Sequence, residues 1–376
     1  MNDINNLFFE LIRVAIGNAV CLSHTPTNAE WMQLYELAKK QSLVGICFAG
    51  VQRLQGQQQT PSEQLYLQWM GMAAKIQQRN EVMNVASRKI YKQLKDDGFE
   101  ACQLKGQGFA ALYKVKSERR ELRDDSLELR DLSALRQSGD IDIWVMGDEV
   151  KTLSWAKEHG TVSRSDYHHA ELEMDGMPEV ELHYRPTLSR NLSRNKRLQR
   201  WFVDEDKKHV VYNEACGFAM PDYVFNVVLT LNHNLWHLMY EGVGMRQMMD
   251  LYFVLKTLSD SPSKGEKDEL LRLLKHLKLQ RFAAASMWVM KKVFGLEDKY
   301  LLCDPDERQG RFLLSEIMMA GNFGRYDERM QVKADGGRWS QLKRWMLHSC
   351  RMVIHYPQEV LWTPMGIAYI SLNKVK

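Results

Sequence analysis

The chain has 376 residues, of which 45% are hydrophobic and 10% aromatic, and a formal net charge of +4. That length is too great for one small core and suits two or three compact units, while the apolar content excludes a disordered chain. So small a positive balance gives no argument for nucleic acid or a membrane surface as partner.

The first stretch, "MNDINNLFFELIRVAIG", reads as an amphipathic helix. Its early acid and missing cleavage site differ from a signal peptide, and no apolar run reaches the roughly 18 residues of a membrane span. A cytoplasmic chain is expected. The cysteines Cys21, Cys47, Cys102, Cys216, Cys303 and Cys350 are scattered with no C-x-x-C pair. This excludes the usual zinc-knuckle spacing, gives no disulfide framework, and leads us to expect buried thiols. In "NAEWMQLYELAKKQSLVGICFAGVQRL", Trp31, Leu34, Leu37 and Ala38 recur at helical spacing. A long helix follows, with Thr60 as N-cap, Pro61 in the first turn, Glu63 in capping-box register and Gly98 as its stop.

The pattern changes at residue 99. "FEACQLKGQGFAALYKVK" predicts a short strand, a glycine turn and a new helix. "SERRELRDDSLELRDLSALRQS", dense in both charge signs, reads as an exposed helix or loop. "DIDIWVMG" predicts a strand, and "DEVKTLSWAKEHG" a helix capped by Asp148 and stopped by Gly160. "YHHAELEMDGMPEVELHYRP" predicts two strands around a turn at Asp175 and Gly176. From residue 187 helices return: a basic one in "TLSRNLSRNKRLQRWF", a long helical stretch broken at "EGVG", and two or three more over roughly 266 to 330. In the aromatic tail, Trp339, Trp345 and Trp362 are expected to pack the helical core. The fold class is α+β: a small mixed sheet over 96–188, between helical regions 1–95 and 189–376.

Asp140 and Asp142 stand at the head of the "DIDIWV" strand. Residues two apart on a strand share a face, so both carboxylates project together while Ile141, Ile143 and Val145 face a core. Paired oxygen donors suit Mg²⁺ or Mn²⁺, which substrate phosphates and water complete. The plainer reading is two turn residues ahead of a strand. In "EVELHY", Val180, Leu182 and Tyr184 alternate with Glu179, Glu181 and His183. Beside the aspartates, Glu181 would complete a metal cluster for phosphoryl or nucleotidyl transfer, or take a proton from an incoming hydroxyl. The alternative is an edge hairpin with a solvated polar face. "LKGQG" offers turns at Gly106 and Gly108, the N–H groups of the new helix, and the charge of Lys105 as a phosphate cradle. Glycines ahead of a helix are also ordinary turns. Arg136 either reaches a phosphate or lies on the surface.

His233 and His237 are four apart on a helix, a metal-ligand spacing, though without the glutamate of H-E-x-x-H. A packed or substrate-lining pair fits them better. Arg246 and Asp250 either line the cleft or pair across one helical turn. His168 and His169 receive no role. The basic run Arg190, Arg194, Lys196, Arg197 and Arg200 could meet a polyanion or be an ordinary exposed helix face.

A glycine turn opening a helix, then a D-x-D strand, then a third carboxylate: this order resembles the DNA polymerase β-like nucleotidyltransferase superfamily. More narrowly, four motifs are similar to those of a family of uncharacterised bacterial nucleotidyltransferases. They are Leu104-Lys105-Gly106; Arg136 with Gly139-Asp140-Ile141-Asp142; Glu181-Leu182-His183; and the segment from Gly242 to Asp250, "GVGMRQMMD". The resemblance covers most of the chain. It implies Asp140 and Asp142 as metal ligands and Glu181 as the third carboxylate. It also implies transfer of a nucleoside monophosphate from a nucleoside triphosphate to an acceptor, with release of pyrophosphate.

Mg²⁺ or Mn²⁺ is the expected cofactor. The candidate nucleotide contacts are Lys105, Gly106, Gln107, Arg136 and Gly139. His183, His233, Arg246 and Asp250 are candidates to line the cleft. The acceptor expected is a small molecule, or else a protein hydroxyl; neither nucleic acid nor membrane is expected. Gln107 stands where better-characterised superfamily members carry a second Gly or Ser, which keeps open an inactive relic that only binds. A D-x-D glycosyltransferase is the other alternative, and it needs a larger nucleotide-binding α/β region upstream.

Overall fold

Apolar periodicity in the first quarter of the chain becomes four helices: α1 (Asp3–Ala15), α2 (Asn28–Lys40), α3 (Val44–Leu54) and the long α4 (Glu63–Asp96). The computed structural model describes residues 3–115, 130–205, 208–257, 264–329 and 338–375. The expected capping box at Thr60 does not form. Helix α4 begins at Glu63 with Ser62 as N-cap and no side-chain cap bond, so Glu63 falls in the first turn rather than at the third position. A capping box occurs instead at α2, where Thr27 and Glu30 exchange bonds. Gly98 ends α4 with φ +85°, a conformation that favours glycine.

The central unit runs β1 (Glu100–Gln103), α5 (Gln107–Ala110), β2 (Lys114–Val115), β3 (Arg130–Asp131), β4 (Ile141–Met146), α6 (Glu149–His159), β5 (Thr161–Ser165), β6 (His169–Glu173) and β7 (Val180–His183). Residues 116–129 of the charged stretch lie outside the described residues; its end forms β3, paired with β2, and a short turn at Ser133–Leu135. Five strands make one mixed sheet in the order β1-β4-β7-β6-β5. Only β4 and β7 pair in parallel. The hairpin reading of β6 and β7 holds, with Gly176 in its turn at φ +67°. Strand β7, however, is interior and not an edge. Strand β5 was not foreseen, because "TVSRS" carries no apolar alternation and its side chains are mostly solvent-facing. Asp148 caps α6 as expected, accepting from the Val150 and Lys151 amides.

Helices then return as α7 (Leu192–Glu205), an unforeseen hairpin of β8 (Val210–Asn213) and β9 (Phe218–Pro221), α8 (Tyr223–Tyr240), α9 (Met245–Lys256), α10 (Lys264–His276), α11 (Gln280–Val289), α12 (Glu307–Ala320), α13 (Arg338–His355) and α14 (Pro357–Leu372). The result is α+β with helical flanks. Among the described residues no helix is long and apolar enough to cross a membrane.

A continuous hydrophobic cluster joins Phe8 of α1, Ile143 of β4, Leu231 of α8 and Met352 of α13. Trp144 stacks on Phe225 at 5.5 Å and so ties β4 to α8. Tyr113 stacks on Phe253 at 4.1 Å and ties the segment after α5 to α9. Two expectations about the periphery fail. Trp345 is 40% exposed, Trp362 only partly buried, and the side chain of Trp339 lies outside the described residues. All six cysteines are free, but Cys21 and Cys350 are exposed.

Candidate active site

The register of β4 against β7 builds the site. Asp142 stands opposite Glu181 across the parallel pair, so the two side chains emerge as neighbours on one face. The opposite face carries Ile141, Ile143 and Val145, all essentially fully buried. Strand β6 continues the polar face, with Glu171 opposite Glu181 and His169 opposite His183. A cavity of about 400 Å³ lies over these groups, closed by side chains of α8, α9 and α14. Asp140 does stand just ahead of β4, but Asp142 lies within it, 2% exposed, and both aspartates and Glu181 line that cavity.

Charge is concentrated here. Lys105 Nζ lies 2.6 Å from Asp142 Oδ1. His183 donates from Nε2 towards the same oxygen at 3.0 Å and stands 3.2 Å from Glu181 Oε2. Asp142 and burial push Asp140 up to about 6, with Glu181 adding to the effect. Burial acts to raise Asp142, yet Lys105 and His183 outweigh it and hold the carboxyl well below its ordinary range. Glu181 is lowered to about 2 against the same opposing burial, chiefly by its bond to His183. Burial would lower Lys105, but Asp142, Glu181 and Asp140 together hold it above the usual lysine range.

Donor atoms of Asp142, Glu181 and His183 lie within 4.8 Å of one another. His183 Nδ1 is buried without a hydrogen-bond partner. Two carboxylates flanked by a third that is forced towards protonation make a set that a hard divalent cation fits.

The glycine turn differs from the expected cradle. Helix α5 is a single turn, too short to sum a helix dipole, so positive charge comes from Lys105 rather than from a helix end. Gly106 has φ +56°, and a Cβ there would meet the Asp140 carbonyl oxygen at 3.0 Å. Gln107 points into the protein: its amide donates to Asn84 Oδ1 and its carbonyl accepts the Ser138 hydroxyl at 2.6 Å. It pins the 136–139 loop and is absent from the cavity wall. Gly139 borders the cavity with open space where a Cβ would stand.

Arg136 is neither on the surface nor free. It is 4% exposed and donates from Nε and Nη2 to the two oxygens of Asp250 at 2.7 and 2.8 Å. Tyr113 donates to Asp250 Oδ1 at 2.6 Å. The alternative of an Arg246–Asp250 pair gives way to this buried triad, while both residues border the cavity. Arg246 donates instead to the Gln137 carbonyl at 2.7 Å and lies over the Phe323 ring. Its Nε is buried without a partner, and its side chain borders the cavity.

His233 and His237 sit on the cavity wall with their Nε2 atoms 2.8 Å apart, and His237 Nδ1 is 2.9 Å from Glu241 Oε2. Burial lowers both below the ordinary histidine range. The basic run dissolves into separate roles. Arg194 is buried against Glu359, with N–O distances of 2.8 and 2.9 Å. Arg190 lies over Trp236 and Tyr240 at the cavity. Sequence reasoning missed His168, His169, Asp166 and Arg190 as wall residues. Alternation in "HAELE" signalled that His169 and Glu171 share a face, and the hairpin set β6 beside β7, but nothing local showed that this face lines a cavity.

A family model described as an uncharacterised nucleotidyltransferase matches residues 27–124 and 129–295. Those spans hold the glycine turn, both carboxylate strands, α8 and α9. Comparison with curated proteins and with solved structures finds no match.

Proposed function

The chain belongs to that uncharacterised nucleotidyltransferase family, and from this premise we propose that it is a divalent-metal-dependent enzyme. It moves a nucleoside monophosphate from a nucleoside triphosphate to an acceptor hydroxyl. The observation that carries the reading is the Asp142–Glu181 register at the floor of the cavity, with Asp140 and Lys105 beside it.

Asp140, Asp142 and Glu181 would hold Mg²⁺ or Mn²⁺, which when bound supplies charge neutralisation for the reacting phosphate oxygens. Lys105 and Arg246 hold the polyphosphate, Lys105 by its charge and Arg246 through its unpartnered Nε. The acceptor oxygen bonds to the α-phosphorus, the bond from that phosphorus to the bridging oxygen breaks, and pyrophosphate leaves with the electron pair. His233 receives the acceptor's proton. His233 and His237 share one proton between Nε2 atoms 2.8 Å apart, and Glu241 Oε2 stands 2.9 Å from His237 Nδ1.

Gln107, which faces the protein interior, does not count against activity, because it supports the loop that positions Asp140. The glycosyltransferase alternative loses its structural requirement: the described residues before β1 are helical, with no α/β unit among them.

Calorimetric titration of ATP, GTP, CTP, UTP and a UDP-sugar, each with Mg²⁺ or Mn²⁺, tests the reading. A folded Asp140→Asn/Asp142→Asn variant is the control. Metal-dependent triphosphate binding that the variant loses is expected. Equal binding by both proteins, or preference for the UDP-sugar, would overturn it.

A further inference from the structure

A second group of donors beside the carboxylates has no part in the reaction above. His168 precedes β6, His169 opens it, and His169 is in register with His183 of β7. Nitrogens of these three imidazoles lie within 4.8 Å of one another. Asp166 organises them. Its Oδ1 accepts the backbone amides of His168 at 2.9 Å and His169 at 3.2 Å, and stands 3.0 Å from His168 Nδ1. With the Nδ1 proton on Asp166, His168 Nε2 is left as a lone-pair donor.

The rings satisfy each other poorly. His169 Nδ1 is 3.1 Å from His168 Nδ1 and 3.0 Å from His168 Nε2, with the ring planes at 88°. A nitrogen nearly equidistant from both lies on the bisecting plane of that ring, off the axis of either lone pair. His169 Nε2 and His183 Nδ1 are buried with no hydrogen-bond partner, on side chains 9% and 1% exposed. Glu171 Oε1, the nearest acid to His169 Nε2, stands 3.6 Å away.

We propose that His168, His169 and His183 form a binding site for a borderline divalent cation of the zinc class, with Asp166 as the outer carboxylate that orients His168. Three imidazoles select zinc-like ions over Mg²⁺, whereas the neighbouring carboxylates select the reverse. His183 serves both groups without conflict. Its Nε2–H stays on Asp142 and Glu181 while Nδ1 is the nitrogen left for the cation, repeating the carboxylate–imidazole–metal order of Asp166 and His168. His168 and His169 border the cavity, so a fourth ligand comes from water or substrate there. The site shares His183 with the carboxylate group, but it is read out by zinc and not by nucleotide, so its test succeeds or fails apart from the transferase reading.

The full chain, stripped with a chelator, is titrated with Zn²⁺ against a chromophoric competitor and then examined by X-ray absorption at the zinc edge. The expected result is about one Zn²⁺ per chain in an imidazole-rich shell. His168→Gln and His169→Gln should lose it, Asp166→Asn should weaken it about 10- to 100-fold, and Asp140→Asn should leave it intact. Circular dichroism of each variant keeps loss of fold separate from loss of site. Unchanged zinc affinity in folded His168→Gln would overturn the proposal. So would a sulfur-rich shell from the exposed cysteines, or loss of binding in Asp140→Asn alone.

Discussion

At the scale of single residues, the contact between Lys105 and Asp142 sets the character of the site. Lys105 is the cation that already neutralises the most deeply buried acid among the described residues, and in the proposed reaction it turns to the incoming phosphates. Lys105→Met is therefore expected to weaken triphosphate binding about 10- to 100-fold, the worth of one charged hydrogen bond, when titrated with the metal present. Unchanged affinity would remove Lys105 from the nucleotide site. Asp250 illustrates a different kind of dependence. It accepts from Arg136 and Tyr113 in a buried setting, so Asp250→Ala strands a buried guanidinium. We expect a loss of about 3–5 kcal/mol in urea unfolding. A loss under about 1 kcal/mol would mean that water or a rearranged neighbour takes over the arginine.

At the scale of elements, the parts legible in the sequence were those whose evidence is local. Strand β4 showed itself through its apolar run, α6 through Asp148 and Gly160, and β7 through the alternation that set Glu181 apart from Val180 and Leu182. What stayed hidden depends on partners distant in the chain. Nothing in "TVSRS" reveals β5, which pairs with β6 on a sheet edge, and nothing near Arg136 reveals that Asp250 is its partner. Helix α14 is another such element. Its Gly366 packs so close that a Cβ would stand 2.2 Å from the Arg190 carbonyl, and its Ile367 and Ile370 close one side of the cavity. Gly366→Val should lift α14 from that wall. Triphosphate binding, which draws on the sheet and α9, is expected to persist, while acceptor-dependent pyrophosphate release falls. Equal loss of both would place α14 in the nucleotide site.

At the scale of the whole molecule, buried histidines govern the response to acid. Burial holds His168 at about 4 and lowers His169, His233, His237, His348 and His355 below the ordinary value of 6.5. As pH falls from 6.5, the unfolded chain takes up these protons before the folded one does. Their contribution to stability is thus whole above 6.5 and is lost as pH drops towards 4. His183 and Asp140 are raised and act in the opposite sense, but are outnumbered. Metal-stripped protein should melt at a lower temperature near about pH 5 than near about pH 7.5; the reverse order would mean that the raised pair dominates.

The parallel pairing of β4 with β7 also has a consequence for the order of folding. Helix α6 and strands β5 and β6 all lie between them in the chain, so Asp142 and Glu181 meet only by closing that whole span. Such non-local closure is slow, and it gathers like charges. Added salt or Mg²⁺ should therefore speed the final refolding phase seen in stopped-flow, with little effect on the earlier formation of the helices. On this account the carboxylates that would hold the metal are brought together by a long-range step, which ions in solution help to close.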